Sequence, residues 1–176
     1  SIHVTDDKNR ILTAITKALS YDIVVISGGV SAGDADYVPE VLQQAGVSRL
    51  FHKVAIRPGK PFWCGRRNDN RLVFALPGNP FSCLVTFTLF IQPYLEACFG
   101  ITNEQLFMPI NTERKQRVEL DEFFPVKAVG NPSVLEPVAL NGSGDIRLAY
   151  EAHALGLHPV GKKCLEAGEV IQTFSL

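Results

Sequence analysis

The sequence predicts two domains: an α/β domain over residues 1–100 and a small all-β module over residues 101–176. Three observations carry this prediction. The apolar run at residues 23–26 lacks polar alternation, which is typical of a parallel strand covered on both faces. A glycine-rich loop follows it and leads into an amphipathic helix. Beyond Gly100, short alternating segments separated by Gly, Pro and Asn replace the helical pattern.

Composition places the chain among globular proteins with a real core. Of the 176 residues, 46% are hydrophobic and 20% are charged, and the net charge is −1. Such a charge argues against a nucleic-acid partner held by bulk electrostatics. The longest membrane-like run, residues 83–91, is half of the ~18 residues that a span needs. We therefore expect a cytoplasmic protein without a membrane partner or a signal peptide.

Cysteines and histidines give no metal-site pattern. The four cysteines are Cys64, Cys83, Cys98 and Cys164, and the four histidines are His3, His52, His153 and His158. Without C-x-x-C spacing, the cysteines are expected to be reduced core thiols. The histidines have no ligand-like spacing and are expected to pack or to lie at the surface. Because the chain begins at Ser1 and not at Met, we also expect a processed or truncated product.

The α/β half has a clear order of elements. Asp6 or Asp7 can cap a first helix with one apolar face. The strand and the glycine loop follow, and then a second helix that Gly46 ends. Residues 49–56 are predicted to form one strand, and residues 62–65 and 71–76 form a hairpin around a polar tip.

A long helix and a β-rich segment follow. Asn79 as N-cap and Pro80 at the first helical position start a helix that runs to Phe99, and Pro93 is expected to bend it. The predicted strands of the all-β module are residues 116–120, 124–129, 134–140 and 170–174.

The glycine loop at residues 27–33 is the first candidate site. Strand, loop and helix in this order place backbone N–H groups at the carboxyl edge of a sheet, where α/β folds bind phosphorylated ligands. The loop is neither Gly-x-Gly-x-x-Gly nor a Walker A loop, and a strand-to-helix turn that needs glycines explains it equally well. Asp34 and Asp36 would repel a phosphate unless a cation or catalysis is involved.

Two further loops are candidates for the same site. Arg57 and Lys60 place two cations on a proline-rich turn that suits an oxyanion, although a solvated β-turn is the alternative. The second loop, residues 77–82, starts the long helix, whose free N–H groups attract anions, although ordinary capping explains it too. If the preceding strands are parallel neighbours, the three loops converge on one edge.

Together, three motifs resemble one known family. They are Ser27-Gly-Gly-Val-Ser-Ala-Gly-Asp-Ala-Asp36, Arg57-Pro-Gly-Lys-Pro61 and Leu76-Pro-Gly-Asn-Pro-Phe-Ser82. In this order they are similar to those of the molybdopterin molybdenumtransferase family (MoeA and the gephyrin E domain), and the resemblance covers essentially the whole chain. It implies the C-terminal portion of that family's fold: a partial three-layer molybdopterin-binding α/β domain, incomplete at its N-terminal end, and a small C-terminal β-barrel.

The resemblance also implies an activity. The family inserts molybdate into adenylylated molybdopterin and releases AMP, with Mg²⁺ implicated and a homodimer as the working unit. Asp36 matches the catalytic and metal-binding acid. The positions implied to bind the molybdopterin precursor are Gly28, Gly29, Ser31, Gly33, Asp34 and Asn79. Those implied to bind molybdate are Arg57, Lys60, Pro61, Ser82 and Ser143.

The chain departs from the family pattern in ways that bear on activity. The elements that open the family's α/β domain, and two N-terminal domains of the full-length enzyme, have no counterpart, so we expect this chain alone to be inactive. Leu120 stands where the family has a molybdate-binding arginine, for which Arg114 and Arg117 are candidate substitutes. A non-catalytic binding or scaffold module is therefore the alternative. The β-module and the Pro-Gly-Lys-Pro loop disfavour a third class, the related adenylyltransferases.

Overall fold

The structure, a computed structural model, describes residues 1–30, 36–102, 104–140 and 151–176. The chain divides into two compact units. The first takes in Ser1–Val54 and Gly59–Asn79, and the second takes in Ala55–Pro58 and Pro80–Leu176. This division groups the long helix with the second unit. The predicted domain boundary near residue 100, which rests on the change of sequence pattern after Gly100, stays a prediction.

A four-stranded mixed sheet lies in the first unit. In sheet order the strands are β1 (Val24–Ser27), β5 (Leu72–Leu76), β4 (Trp63–Arg66) and β2 (Ser48–His52). β1 and β5 are parallel, and β4 is antiparallel to both of its neighbours. The carboxyl ends of β1, β5 and β2 therefore lie at one edge. The hairpin of β4 and β5 confirms the prediction, and its tip is closed by the Arg67 N–H, which donates to the Arg71 carbonyl oxygen (2.9 Å).

Two helices pack on this sheet. They are α1 (Lys8–Ala18) and α2 (Val38–Gln44). The Asp7 carboxylate accepts a hydrogen bond from the Arg10 N–H, which confirms the predicted cap. α2 ends before Gly46, whose φ of +81° is a left-handed conformation that favours glycine. Buried residues from both helices and the sheet form one core cluster: Ile15, Val24, Val41, Leu42, Trp63, Val73 and Ala75.

β1 is covered on one face only. Val24 is 6% exposed and belongs to the core cluster, whereas Val25 is 48% exposed. Successive side chains of a strand point to opposite faces of the sheet. The prediction of a parallel strand is confirmed by its pairing with β5, and the prediction that both faces are covered is wrong.

The single strand predicted over residues 49–56 is wrong. It is divided into β2 and a two-residue strand, β3 (Ile56–Arg57). Lys53 has a left-handed φ of +71°, and its N–H donates to the Phe62 carbonyl oxygen (2.9 Å), which turns the chain out of β2. β3 then pairs in parallel with a strand of the second unit.

The long helix has three parts: α3 (Pro80–Thr86), a π-helical turn (Phe87–Ile91) and α4 (Gln92–Cys98). The π turn ends two residues before Pro93, which has no N–H to donate. The bend predicted at Pro93 stays a prediction. The helical segment Pro80–Cys98 has a mean hydropathy of 1.3. By length and composition alone it is long and apolar enough to cross a membrane. This is weak evidence, because core helices of soluble proteins pass the same test.

The second unit contains a larger sheet. Its path runs β3, β8 (Asp121–Val129), β10 (Ala154–His158), β12 (Val170–Ser175) and β6 (Leu106–Pro109), while β9 (Val134–Pro137) pairs with β8. A separate pair joins β7 (Arg114–Lys115) and β11 (Cys164–Leu165). The two end strands of this path, β3 and β6, do not pair with each other among the described residues. A closed barrel is therefore not confirmed.

The β-rich segment matches the sequence prediction in part. β8, β9 and β12 confirm three predicted strands, although β9 ends at Pro137. The strand predicted over residues 116–120 is wrong, because that segment is a loop. β10 was not predicted; its Gly156 lies so close to the Phe124 ring that a Cβ there would come within 2.9 Å of it.

Candidate functional site

Two loops meet at the carboxyl edge of the first unit's sheet. β1 runs into Gly28 and Gly29, and β5 runs into Pro77 and Gly78. The Gly28 N–H donates to the Leu76 carbonyl oxygen (3.0 Å), and a Cβ on Gly78 would lie 3.3 Å from the Gly28 Cα. The predicted convergence of these two loops is confirmed, and it depends on the parallel pairing of β1 and β5.

Glycine is required in the first of these loops. Gly28 and Gly29 have φ values of +92° and +70°, in the left-handed region. A Cβ on Gly29 would also come within 2.7 Å of Val38 Cγ2. The Val38 N–H donates to the Gly29 carbonyl oxygen (3.2 Å), so the loop lies directly against the start of α2.

The other residues predicted for the site are only partly described. Asp36 is half-buried and lies two residues before α2. Asn79 is half-buried and directly precedes α3. The predicted positions outside the described residues are Ser31, Gly33, Asp34 and Ser143.

The predicted molybdate residues are divided between the units. Lys60 and Pro61 belong to the first unit, where the Lys60 carbonyl oxygen accepts from the Val54 N–H (2.9 Å) and the Lys60 side chain is exposed. Arg57 and Ser82 belong to the second. Arg57 is exposed on β3, and Ser82 is 7% exposed within α3.

The sequence interpretation missed His52. Its Nε2 lies 3.4 Å from the Val30 carbonyl oxygen, so the half-buried ring donates to the backbone of the glycine loop. The signal was its position: β2 runs in the same direction as β1, and His52 is the last residue of β2. It is thus a loop-supporting residue at the same edge of the sheet.

In the second unit one buried carboxylate accepts hydrogen bonds from the side chain of one arginine and from the main chain of another. Glu122 is 3% exposed, and its Oε2 accepts from Arg114 Nη1 (3.2 Å) and from the Arg117 N–H (3.0 Å). Arg57 is the register partner of Glu122 in the pairing of β3 with β8.

His158 completes the buried part of this network. It is fully buried, its Nδ1 lies 2.7 Å from Arg114 Nη1, and its Nε2 lies 2.6 Å from the Lys162 carbonyl oxygen. Burial lowers the pKa of His158, and the Arg114 charge lowers it further, against the raising effects of the Lys162 carbonyl and of Glu122 and Glu169. The sequence had indicated only packing or a surface position.

Burial also lowers the pKa of the Arg114 guanidinium. The Glu122 carboxylate opposes that effect, and repulsion from Arg117 and Arg57 adds to it. Arg114 Cζ further lies 4.2 Å from the centroid of the Phe124 ring, a cation–π contact. The guanidinium is therefore held from three sides.

A group of possible metal ligands lies in the second unit. The ligand atoms of Glu113, Cys164 and Glu166 are all within 4.8 Å of one another. Burial, followed by the two carboxylates, raises the pKa of the Cys164 thiol, which keeps it protonated at neutral pH. None of these residues was predicted to bind metal.

A groove of about 500 Å³ lies in the first unit away from the glycine loop. Residues 2–5 and the exposed side of α1, including Arg10 and Lys17, line it. The predicted site residues do not line this groove.

Comparison with known proteins gives a consistent result. A family model described as a probable molybdopterin binding domain matches residues 1–97. The molybdopterin molybdenumtransferase of Synechocystis sp. is 34% identical over 173 residues, which cover 95% of this chain and 42% of the relative. A putative molybdopterin biosynthesis protein of Methanocaldococcus jannaschii is 33% identical over 174 residues, covering 98% and 41%.

A solved structure gives the same result for the fold. The MoeA molybdopterin biosynthesis protein of Pyrococcus horikoshii matches with a TM-score of 0.80 and 31% identity, over 97% of this chain and 41% of that one. The chain thus spans about two fifths of the length of these relatives. On the family model, the relatives and the fold together, the chain belongs to the molybdopterin molybdenumtransferase family.

Proposed function

We propose that this chain is part of an enzyme of molybdenum cofactor biosynthesis that inserts molybdate into adenylylated molybdopterin with release of AMP. The meeting of the Gly28 and Gly78 loops at one edge of the sheet is the observation that carries the proposal. Two glycine turns without side chains leave room for a phosphate group close to main-chain N–H groups. The molybdopterin phosphate is the group that we place there.

The pterin precursor is proposed to contact both loops. Gly28, Gly29 and Asn79 are the described residues with this role, and their positions beside the sheet edge support it. Motif resemblance alone assigns the same role to Ser31, Gly33 and Asp34.

Asp36 is proposed as the catalytic carboxylate and as a ligand of Mg²⁺. Its carboxylate fits the ion, since Mg²⁺ prefers oxygen donors and is commonly held by one or two carboxylates together with substrate phosphates. When bound, the ion would neutralise charge on the phosphoanhydride. Asp36 itself would orient the water that attacks the adenylate phosphorus.

Molybdate is proposed to bind Arg57, Lys60, Pro61, Ser82 and Ser143. Arg57 and Lys60 offer charge-assisted N–H donors, which can replace the hydration shell of a tetrahedral dianion. Arg57 stands where the family more often has lysine, and its planar fork can donate two hydrogen bonds to one anion.

The family's organisation is part of the proposal. We place the boundary between an α/β domain and a small β-barrel near residue 100, and a bridge between Ile110 and Leu135 supports the barrel because it brings the chain after β6 beside β9. A homodimer and a cytoplasmic location are proposed on the resemblance, with no nucleic-acid or membrane partner.

Release of AMP tests the proposal. In the natural protein that contains these residues, Asp36→Asn is expected to abolish molybdate-dependent AMP release from adenylylated molybdopterin. Glu40→Gln is the matched control, because Glu40 is an exposed carboxylate of α2 and its partners Lys8 and Gln44 are exposed as well. Undiminished AMP release by the folded Asp36→Asn protein would refute the role of Asp36.

A further inference from the structure

Residues 28–30, the described part of the glycine loop, are tied to three other elements of the first unit. The Gly28 N–H donates to the last residue of β5, and the Gly29 carbonyl oxygen accepts from the first residue of α2. The Val30 carbonyl oxygen accepts from His52 Nε2 at the end of β2 (3.4 Å). The first two bonds join main chain to main chain, whereas the third depends on one imidazole.

The main chain around His52 is fixed on both sides. His52 is the register partner of Trp63 in the pairing of β2 with β4, and the N–H of Lys53 donates to the Phe62 carbonyl oxygen (2.9 Å). Trp63 and Phe62 are both fully buried, so this part of the sheet is held by core packing. The His52 side chain therefore extends from a rigid base.

The hydrogen bond between His52 and Val30 has one possible direction. A carbonyl oxygen only accepts, so Nε2 carries the proton, as it does in one neutral tautomer and in the cation alike. The Val30 side chain is buried in the core cluster of the first unit. Its burial fixes where Val30 lies, and the imidazole fixes how the Val30 carbonyl is turned.

Two N–H groups of the loop are left for a ligand. Those of Gly29 and Val30 form no hydrogen bond with any residue that the structure describes. The peptide between them is trans and holds its C=O and N–H on opposite sides, so the Val30 N–H points away from the start of α2. Successive N–H groups in a turn can form a concavity that binds anions. The rotation of these peptides thus decides where an anion can bind.

We propose that His52 is a positioning residue for the glycine loop. By holding the Val30 carbonyl oxygen, its imidazole fixes the N–H groups of Gly29 and Val30 for the phosphate of the pterin precursor. Donors that are already ordered bind more tightly, because the loop pays no ordering entropy on binding. This inference rests on the proposed function, which places the phosphate at this loop, and it adds a side chain that acts on the precursor through the loop.

Binding of adenylylated molybdopterin without molybdate tests the inference in the natural protein that contains this chain. His52→Phe and His52→Leu remove the donor, whereas the terminal amide of His52→Gln can donate in place of Nε2. His153→Phe is the matched control, because it also removes an imidazole bonded to the main chain, that of the Ala128 N–H to Nδ1 (3.2 Å), but in the second unit. Urea unfolding establishes that each variant is folded.

We expect both donor-free variants to bind the precursor roughly three- to ten-fold more weakly. His52→Gln should recover most of that loss, and His153→Phe should bind as tightly as the unaltered protein. In molybdate-dependent AMP release, the KM for the precursor should rise more than kcat falls, since the lost contact acts on binding. A merely structural role would instead lower the active fraction, and with it kcat, at unchanged KM.

The outcomes separate this inference from the proposed function. Unchanged precursor affinity of His52→Phe and His52→Leu would overturn the inference. Weak binding by His52→Gln would overturn it too, because the loss would then follow the shape of the ring and not its donor. The binding measurement needs no turnover. Affinity that depends on the His52 donor, in a protein that releases no AMP, would therefore refute the proposed reaction and support the role of His52.

Discussion

Arg114 Nη1 lies 2.7 Å from His158 Nδ1, and this contact fixes the protonation state of the imidazole. The opposite nitrogen, Nε2, faces the Lys162 carbonyl oxygen at 2.6 Å, which can only accept. Nε2 therefore carries the proton, and Nδ1 accepts from the guanidinium. A second proton on Nδ1 would face the Arg114 N–H, so the folded protein holds His158 neutral.

The first prediction concerns stability against pH. The pKa of His158 is lowered in the folded protein, chiefly by burial, while the unfolded chain has a histidine pKa of about 6.5. As pH falls below that value, the unfolded state takes up a proton that the folded state does not. We expect the free energy of unfolding to fall by up to about 1.4 kcal/mol per pH unit from this group, measured by urea unfolding between pH 8 and 5.5.

A histidine variant is the control for this effect. His3 is exposed near the N-terminus, so His3→Gln should keep the pH dependence of the unaltered protein. His158→Gln should be less stable at pH 8 and should show a flatter profile. An equally steep profile in His158→Gln would contradict the assignment.

The second prediction concerns the carboxylate of the same network. Glu122→Gln keeps the shape of the side chain but leaves the Arg114 charge without its partner. The site is buried, since Glu122 is 3% exposed. We expect a loss of about 3–5 kcal/mol in the free energy of unfolding, measured with urea. Glu136→Gln breaks an exposed pair with Lys127 and should cost far less. Similar losses in the two variants would show that burial does not matter here.

The third prediction separates the backbone cost of a side chain at Gly29 from its steric cost. Gly29→Ala must adopt a φ of +70° and bring its Cβ to 2.7 Å from Val38 Cγ2, whereas Gly46→Ala must adopt a φ of +81° in open space. Left-handed backbone alone costs about 1–2 kcal/mol, which is the loss expected for Gly46→Ala. The clash should cost Gly29→Ala about 1–3 kcal/mol more.

Unfolding of both variants by urea measures the difference. The double variant Gly29→Ala with Val38→Ala removes the clashing methyl group, and it should recover part of the added loss. Equal stability of Gly29→Ala and Gly46→Ala would mean that the loop relaxes away from α2.

Local signals in the sequence predicted much of the first unit. Asp7 caps α1, Gly46 follows α2, and Pro80 begins α3, because each acts through the backbone within a few residues. The strand predicted over residues 49–56 was wrong because the chain leaves the first sheet after His52, and the last residue of the range, Ile56, pairs with a different sheet. Residues 116–120 form no strand, because the Arg117 N–H donates to the Glu122 carboxylate.

The candidate site was likewise predicted only where local signals determine it. Parallel pairing of β1 and β5 made the Gly28 and Gly78 loops meet, as the order of strand and loop had indicated. The Arg114, Glu122 and His158 network could not be predicted, because Arg114 lies 8 and 44 positions from its partners and the three residues lie on different strands. Only tertiary structure brings such residues together.

The fourth prediction concerns the thiols. Burial raises the pKa of Cys64 to about 11, and this side chain is 3% exposed in the first unit's sheet. At pH 8 only roughly one thousandth of such a thiol is ionised, and the thiolate is the reactive form. Cys98 is exposed near the end of α4. Iodoacetamide at pH 8 should therefore modify Cys98 in the native protein and leave Cys64 unmodified.

Peptide mass spectrometry after timed labelling measures both sites in one experiment. In urea above the unfolding midpoint, Cys64 should react at a rate close to that of Cys98, because unfolding removes both the steric protection and the pKa shift.

The Glu122→Gln variant serves as an internal comparison, because its altered residue lies in the second unit whereas Cys64 lies in the first. Selective loss of Cys64 protection in that variant under native conditions would show that the two units unfold as one cooperative block. Rapid modification of Cys64 in the unaltered native protein would contradict its burial.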